Sequence, residues 1–166
     1  MGRKPEEPED KMSIFPTEIV LATDGSEEAA LASQIAADIA QKTGSELYVV
    51  YVEQSASNLT PAYGPYMFLS PEKVQALVRE ADRAAKQTLD EQVGHIKDAG
   101  GAVSGSYLRH GGADQEIVKL ADEIGAGLIV MGSRGLGGIR RALMGSVSDS
   151  VVRHAHCPVL VVRKEH

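Results

Sequence analysis

From Glu18 to Val162 short apolar runs alternate with longer amphipathic segments, which is the rhythm of an α/β fold built on a parallel sheet. Five runs are predicted as strands: EIVLAT at Glu18 to Thr23, LYVVYV at Leu47 to Val52, AVSGSYL at Ala102 to Leu108, GLIVMG at Gly127 to Gly132 and PVLVV at Pro158 to Val162. Several are nearly continuous Val, Ile and Leu, as expected of strands covered on both faces. The third is the least apolar.

The intervening segments carry helix start and stop signals. Ser26 is placed to cap a helix over Glu27 to Lys42, with Glu27 and Glu28 set against the positive end of its dipole and Gly44 just past its finish. Ser70-Pro71-Glu72 opens the longest helix, with Pro71 at the first helical position, and Gly100-Gly101 closes it. Gly112-Ala113-Asp114 leads into a third helix that stops before Gly125, and a short fourth runs from Gly145-Ser146 to about His154.

One connection departs from the usual two to six residues. The segment between the second strand and second helix, 54–70, is about 17 residues long and carries Pro61, Tyr63, Pro65, Tyr66 and Phe68. It suits either a lid or partner surface, or a variable insertion covering a helix end. Residues 1–14 are charged and proline-bearing and are expected to form a disordered tail, leaving one domain over 15–166.

With 166 residues and 43% hydrophobic content, the chain suffices for one well-packed domain. Its net charge of −6 argues against nucleic acid or an anionic membrane as partner. No run approaches the roughly 20 apolar residues of a membrane span, and the start lacks the apolar core of a secretory signal. The single cysteine, Cys157, permits no intrachain disulfide or thiolate cluster, which fits a cytoplasmic setting.

The chemistry concentrates in MGSRGLGGIRRALMGSVSDS, 131–150, which gathers five glycines, three arginines and four serines with no acid before Asp149. In open parallel sheets the ligand crevice lies beyond the carboxyl ends of the strands, where strand order reverses. One order that right-handed crossovers allow is 3-2-1-4-5, with the reversal between strands one and four. Thr23-Asp24-Gly25 and Gly132-Ser133-Arg134-Gly135 would then converge there. Gly132, Gly135 and Gly145-Ser146 would let backbone N–H groups curl around phosphate oxygens, with Ser146 and Ser148 adding hydroxyls and the fourth helix offering its N-terminus. Arg134, Arg140 and Arg141 could screen the phosphate charge.

Competing phosphate motifs fail. There is no Gly-Lys pair for a Walker loop, and the dinucleotide fingerprint that begins at Gly135 and Gly137 meets Arg140 where its third glycine belongs. His154 and His156 flank Ala155 without an adjoining third ligand, so they read as a structural turn. The closing run PVLVVR is apolar and at a sheet edge, which calls for cover; antiparallel pairing with a second copy would supply it.

The run IVMGSRGLGGIRRALMGSVSDSVVRHAHCPVLVVR, with IVLATDGSEEA near the start, resembles the universal stress protein family, in its ATP-binding branch with the pattern Gly, two residues, Gly, nine residues, Gly, Ser or Thr. The resemblance covers about Pro16 to Arg163. It implies an open five-stranded parallel sheet of order 3-2-1-4-5 with helices on both faces, Rossmann-like, an ATP site at the switch point and a homodimer through the last strand. Carried over by position, Asp24 would contact the adenosine end with Ala22 and Thr23 on the same wall. Val52 would pack against adenine, and Met131 and Gly132 would lie along the ribose. Gly135, Gly145, Ser146 and Val147 would supply phosphate contacts, largely through backbone N–H. The family often has a proline before the third helix, where this chain has Gly111-Gly112-Ala113.

The expected function is that of a cytoplasmic, ATP-binding stress regulator, with AMP or another adenine nucleotide as alternative ligand and an unknown protein partner. A magnesium or manganese ion accompanying the phosphates would be held mostly by nucleotide and water, since no carboxylate pair is evident. Two other readings stand beside it: a slow ATP hydrolase or nucleotidyl or phosphoryl transferase, although no catalytic lysine or base is evident, and a nucleotide-free dimeric scaffold.

Overall fold

A computed structural model describes residues 13–54, 68–135 and 144–164. The expected tail, Ser13 and Ile14 apart, lies outside the described residues, as do residues 55–67 of the aromatic connection and Arg140 and Arg141. The elements are β1 (Glu18–Ala22), α1 (Glu27–Thr43), β2 (Glu46–Glu53), α2 (Pro71–Asp98), β3 (Gly105–His110), α3 (Ala113–Ile124), β4 (Leu128–Gly132), α4 (Ser146–His154) and β5 (Val159–Val162). The strands form one sheet of order β3-β2-β1-β4-β5 in which every pairing is parallel. This is the order expected from the sequence. Among the described residues no helix is long and apolar enough to cross a membrane.

Strand alternation divides the core in two. Ile19 and Leu21 of β1, with Leu47, Val49 and Val130, face Ala32, Ala36 and Ala40 of α1 and Leu89 and Ile96 of α2. Val20 and Ala22, with Val50, Ile129 and Met131, face Ile117 and Leu120 of α3 and Val151 of α4. The small residues at i, i+4, i+8 on α1 let that helix lie close to the sheet. Ile19, Val20 and Leu21 are fully buried, and truncating such a residue, as in Leu21→Ala, costs about 2–5 kcal/mol.

Local signals set the boundaries. The Ser26 hydroxyl accepts the Ala29 N–H at 3.2 Å, and Gly44 closes α1 in the left-handed region at φ 68°. The Ser70 hydroxyl accepts the Lys73 N–H at 3.4 Å, with Pro71 in the first turn. These match the sequence expectations.

The third strand departs from them. It spans Gly105–His110 rather than 102–108, with Arg109 and His110 opposite Val52 and Glu53. As the sheet's edge, β3 needs no apolar face, so its polar end can stay in the ladder. Arg109 pairs with Glu123 and sits 5.6 Å from the Tyr107 ring centre, while His110 hydrogen-bonds the Asp82 carboxylate at 2.8 Å.

Candidate functional site

Beyond the carboxyl ends of β1 and β4, where the chain leaves for opposite faces of the sheet, opens a cleft of about 620 Å³. That volume is in the range of small-ligand sites. Ala22, Thr23, Asp24, Val52, Met131, Gly132, Arg134, Gly135, Gly145, Ser146, Val147 and Ser148, all expected from the sequence, line it, while Arg140 and Arg141 lie outside the described residues. Val50, Tyr51, Glu53, Ala113, Ile117, Ser133 and Met144 line it as well.

The β1–α1 turn builds one wall. Thr23 is drawn into the sheet by its N–H, which donates to the Val50 carbonyl at 3.0 Å. The next peptide is folded by side chains: the Thr23 hydroxyl accepts the Gly25 N–H at 3.3 Å, and Asp24 Oδ1 accepts the Ser26 N–H at 3.0 Å. Gly25 takes φ 79°, a conformation that other residues rarely adopt. Asp24 therefore organises the turn with one carboxylate oxygen. Its other oxygen lies against Gly135, so closely that a Cβ there would collide with it.

The β4 turn is held by a residue whose sequence position suggested only a role at the helix dipole. Glu28, nearly buried in the first turn of α1, reaches across to 133 and 134. Its Oε2 accepts the Ser133 hydroxyl at 2.6 Å and the Arg134 N–H at 2.8 Å, while Oε1 accepts Arg134 Nη2 at 3.2 Å. Burial pushes the Glu28 carboxyl up, but the hydrogen bonds from Ser133 and Arg134 and the guanidinium charge outweigh it and hold the group below its usual range. Arg134, expected to screen phosphates, thus has its charge matched by Glu28, and the two side chains are only 12% and 11% exposed.

Ser133 links this turn to α4. Its N–H continues the sheet to the Val162 carbonyl at 2.8 Å, and its own carbonyl accepts both the Gly145 N–H and the Ser148 hydroxyl at 2.7 Å. Ser148 was expected to offer its hydroxyl to a ligand. The proton goes instead to the Ser133 carbonyl, because Ser148 is buried in the first turn of α4 where that carbonyl is the adjacent acceptor. The Gly145 N–H is committed likewise. Among the described residues no side chain caps α4, and Ser146 and Val147, which begin the helix, line the cleft with the positive end of the dipole behind them. This end of the cleft suits an anion.

The far end is apolar. Val50 and Val52 of β2, Ala113 and Ile117 of α3, and Met131 of β4 line it with one apolar cluster, chemistry that suits a flat ring. Tyr51, which lines the cleft but packs with the cluster on the α1 and α2 side of the sheet, has its hydroxyl pushed above the usual range by burial and by the Glu53 and Asp24 carboxylates. Among the described residues no three His, Cys, Asp or Glu side chains group to hold a metal ion. His154 Nδ1 lies 2.8 Å from the Ser150 carbonyl one turn earlier, a bond local to its own helix.

A sequence model described as the universal stress protein family matches residues 17–163. The chain is similar to a universal stress protein of Methanocaldococcus jannaschii, 34% identical over 146 residues that cover 88% of this chain and 81% of that one. Its fold is similar to a universal stress protein solved in complex with cAMP, with TM-score 0.65 and 26% identity over 92% of this chain and 100% of that one. It is also similar to the Archaeoglobus fulgidus universal stress protein solved with dAMP, with TM-score 0.59 and 28% identity over 90% of this chain and 99% of that one.

Proposed function

The chain belongs to the universal stress protein family, and from that premise we propose that its cleft binds an adenine nucleotide, ATP foremost, whose occupancy regulates the protein during stress. The observation that carries the reading is the pairing of an uncapped helix N-terminus with an apolar end in one cleft, across a turn where Gly135 leaves room only for the Asp24 carboxylate. A phosphate at one end and a base at the other satisfy both. The cAMP and dAMP complexes of similar proteins support the adenine half.

In this reading Val50, Val52, Ile117 and Met131 enclose the base, and Asp24 accepts hydrogen bonds at the adenosine end. Met131 and Gly132 lie along the ribose. The N–H groups at Gly135, Ser146 and Val147 hold the phosphates, while Gly145 contributes by lacking a side chain. Backbone donors explain how a chain of net charge −6 could hold so anionic a ligand. A magnesium or manganese ion would take its ligands from phosphate and water.

The turn that receives the phosphates is hydrogen-bonded to α1, β5 and α4 through Glu28 and Ser133. Occupancy would therefore stiffen elements that also form the molecular surface. The edge strand β5, whose Val159 and Leu160 are half-buried within one chain, would pair antiparallel with a second copy to form a dimer. The proposed setting is the cytoplasm.

A ligand that binds the folded state alone at about a hundred times its Kd adds about 2.7 kcal/mol. For a chain of this size ATP should raise the melting temperature by roughly 5–10 °C. No rise with ATP, AMP, cAMP or dAMP would sink the reading.

A further inference from the structure

We propose that Glu28 is a positioning residue for the phosphate side of the cleft, an inference that rests on the adenine-nucleotide reading above. Glu28 does not itself line the cleft. It accepts three hydrogen bonds from two consecutive residues that do, the Ser133 hydroxyl, the Arg134 N–H and the Arg134 guanidinium. A first-turn acid serving only the helix dipole would point to water. This one is 9% exposed and engaged with residues 105 and 106 positions away.

The bonds continue past it. Ser133 is fully buried, and its carbonyl accepts the Gly145 N–H and the Ser148 hydroxyl, so the start of α4 hangs from the same peptide that Glu28 fixes. Gly132 closes the arrangement from below: a Cβ there would stand 3.0 Å from Glu28 Cβ and 3.1 Å from its carbonyl carbon, so the turn lies directly against α1. Glu28 thereby sets the distance between the Gly135 N–H and those of Ser146 and Val147. Those are the two groups that must meet one phosphate chain.

A carboxylate suits this position because it accepts on both oxygens and donates on neither. Pairing with Arg134 cancels its charge, so it does not repel the phosphates it helps to place. Glutamine keeps the shape and one accepting oxygen, but its amide nitrogen cannot accept from the guanidinium.

The test is calorimetric titration of the full chain with ATP and, separately, adenosine, on the unmodified protein, Glu28→Gln and Ser133→Ala, each checked for a native melting transition. Amide hydrogen exchange over 145–148 is followed in parallel without nucleotide. We expect Glu28→Gln to weaken ATP by about tenfold or more, the scale of one lost charge-assisted hydrogen bond, and adenosine by less than about twofold. Ser133→Ala should follow in the same direction, and exchange over 145–148 should quicken in both. Unchanged ATP affinity in folded variants, or equal losses for ATP and adenosine, would overturn the proposal. If the unmodified protein binds neither ligand, the functional reading fails first; unchanged exchange over 145–148 would then overturn the role of Glu28 as well.

Discussion

Replacing Gly135 with alanine separates shape from stability at the proposed site. The new methyl would fall on the outer carboxylate oxygen of Asp24, with the carboxyl carbon 3.5 Å away. Asp24 cannot retreat freely, because its other oxygen accepts the Ser26 N–H at 3.0 Å. The obstacle is nonetheless the end of a short, half-exposed side chain rather than backbone, so the carboxylate should turn aside while the fold persists. Losing one partly exposed hydrogen bond costs about 0.5–1.5 kcal/mol, a fall of a few degrees in melting temperature. Binding should suffer more: a displaced carboxylate forfeits a charge-assisted bond to the nucleotide worth about 1.5–3 kcal/mol, or roughly ten- to hundredfold in Kd. Calorimetric titration with ATP well below the melting temperature, beside a thermal melt of each protein, measures both. A variant that melts within a few degrees of the unmodified chain yet binds ATP equally well would refute the assignment of Asp24 and Gly135 to one ligand contact.

Three further outcomes follow from the same geometry. Gly94→Ala, within α2 where nothing lies within 4 Å of the added Cβ, should stabilise by about 0.5–1 kcal/mol and raise the melting temperature by about 1–4 °C without altering nucleotide affinity; a loss of stability would contradict the openness of that helix face. Gly132→Val, by contrast, meets the backbone of α1, with Glu28 C at 3.1 Å and Ala29 N at 3.2 Å, and should cost about 1–3 kcal/mol in denaturant titration. Because the folded Glu28 carboxyl is held below its unfolded value near 4.3, the stability it contributes is full above that pH and is lost as pH falls through the lower folded value. Glu28→Gln should therefore show a shallower acid loss of urea midpoint than the unmodified chain, and parallel curves would contradict the hydrogen-bond network.

Much of this was legible in the sequence because parallel strands buried on both faces read as unbroken apolar runs, and because Ser26, Gly44, Ser70 and Pro71 mark helix ends by local chemistry. The site was legible for a related reason. Turns at the carboxyl ends of β1 and β4 must converge in this topology, so glycines there could be assigned to one cleft from their places in the chain. The β3 boundary was not, since an edge strand tolerates Arg109 and His110 and leaves no apolar signature. Nor was the Glu28–Ser133 bond, which joins residues 105 positions apart and has no periodicity to announce it. Arg134 and Ser148 differ from that reading in a particular way: Arg134 pairs with the buried Glu28 carboxylate, and the hydroxyl of Ser148 goes to the Ser133 carbonyl, so neither group can be assigned to a ligand from its chemistry alone.

The central claim is that one adenine nucleotide occupies the cleft of each chain. Native mass spectrometry of the purified full chain with added ATP tests it most directly. The expected spectrum shows one nucleotide per chain, lost on substituting Gly135 and Gly145 with valine in a protein that still melts cooperatively. Only bare chains, at ATP, AMP, cAMP and dAMP concentrations where a folded protein is present, would contradict it.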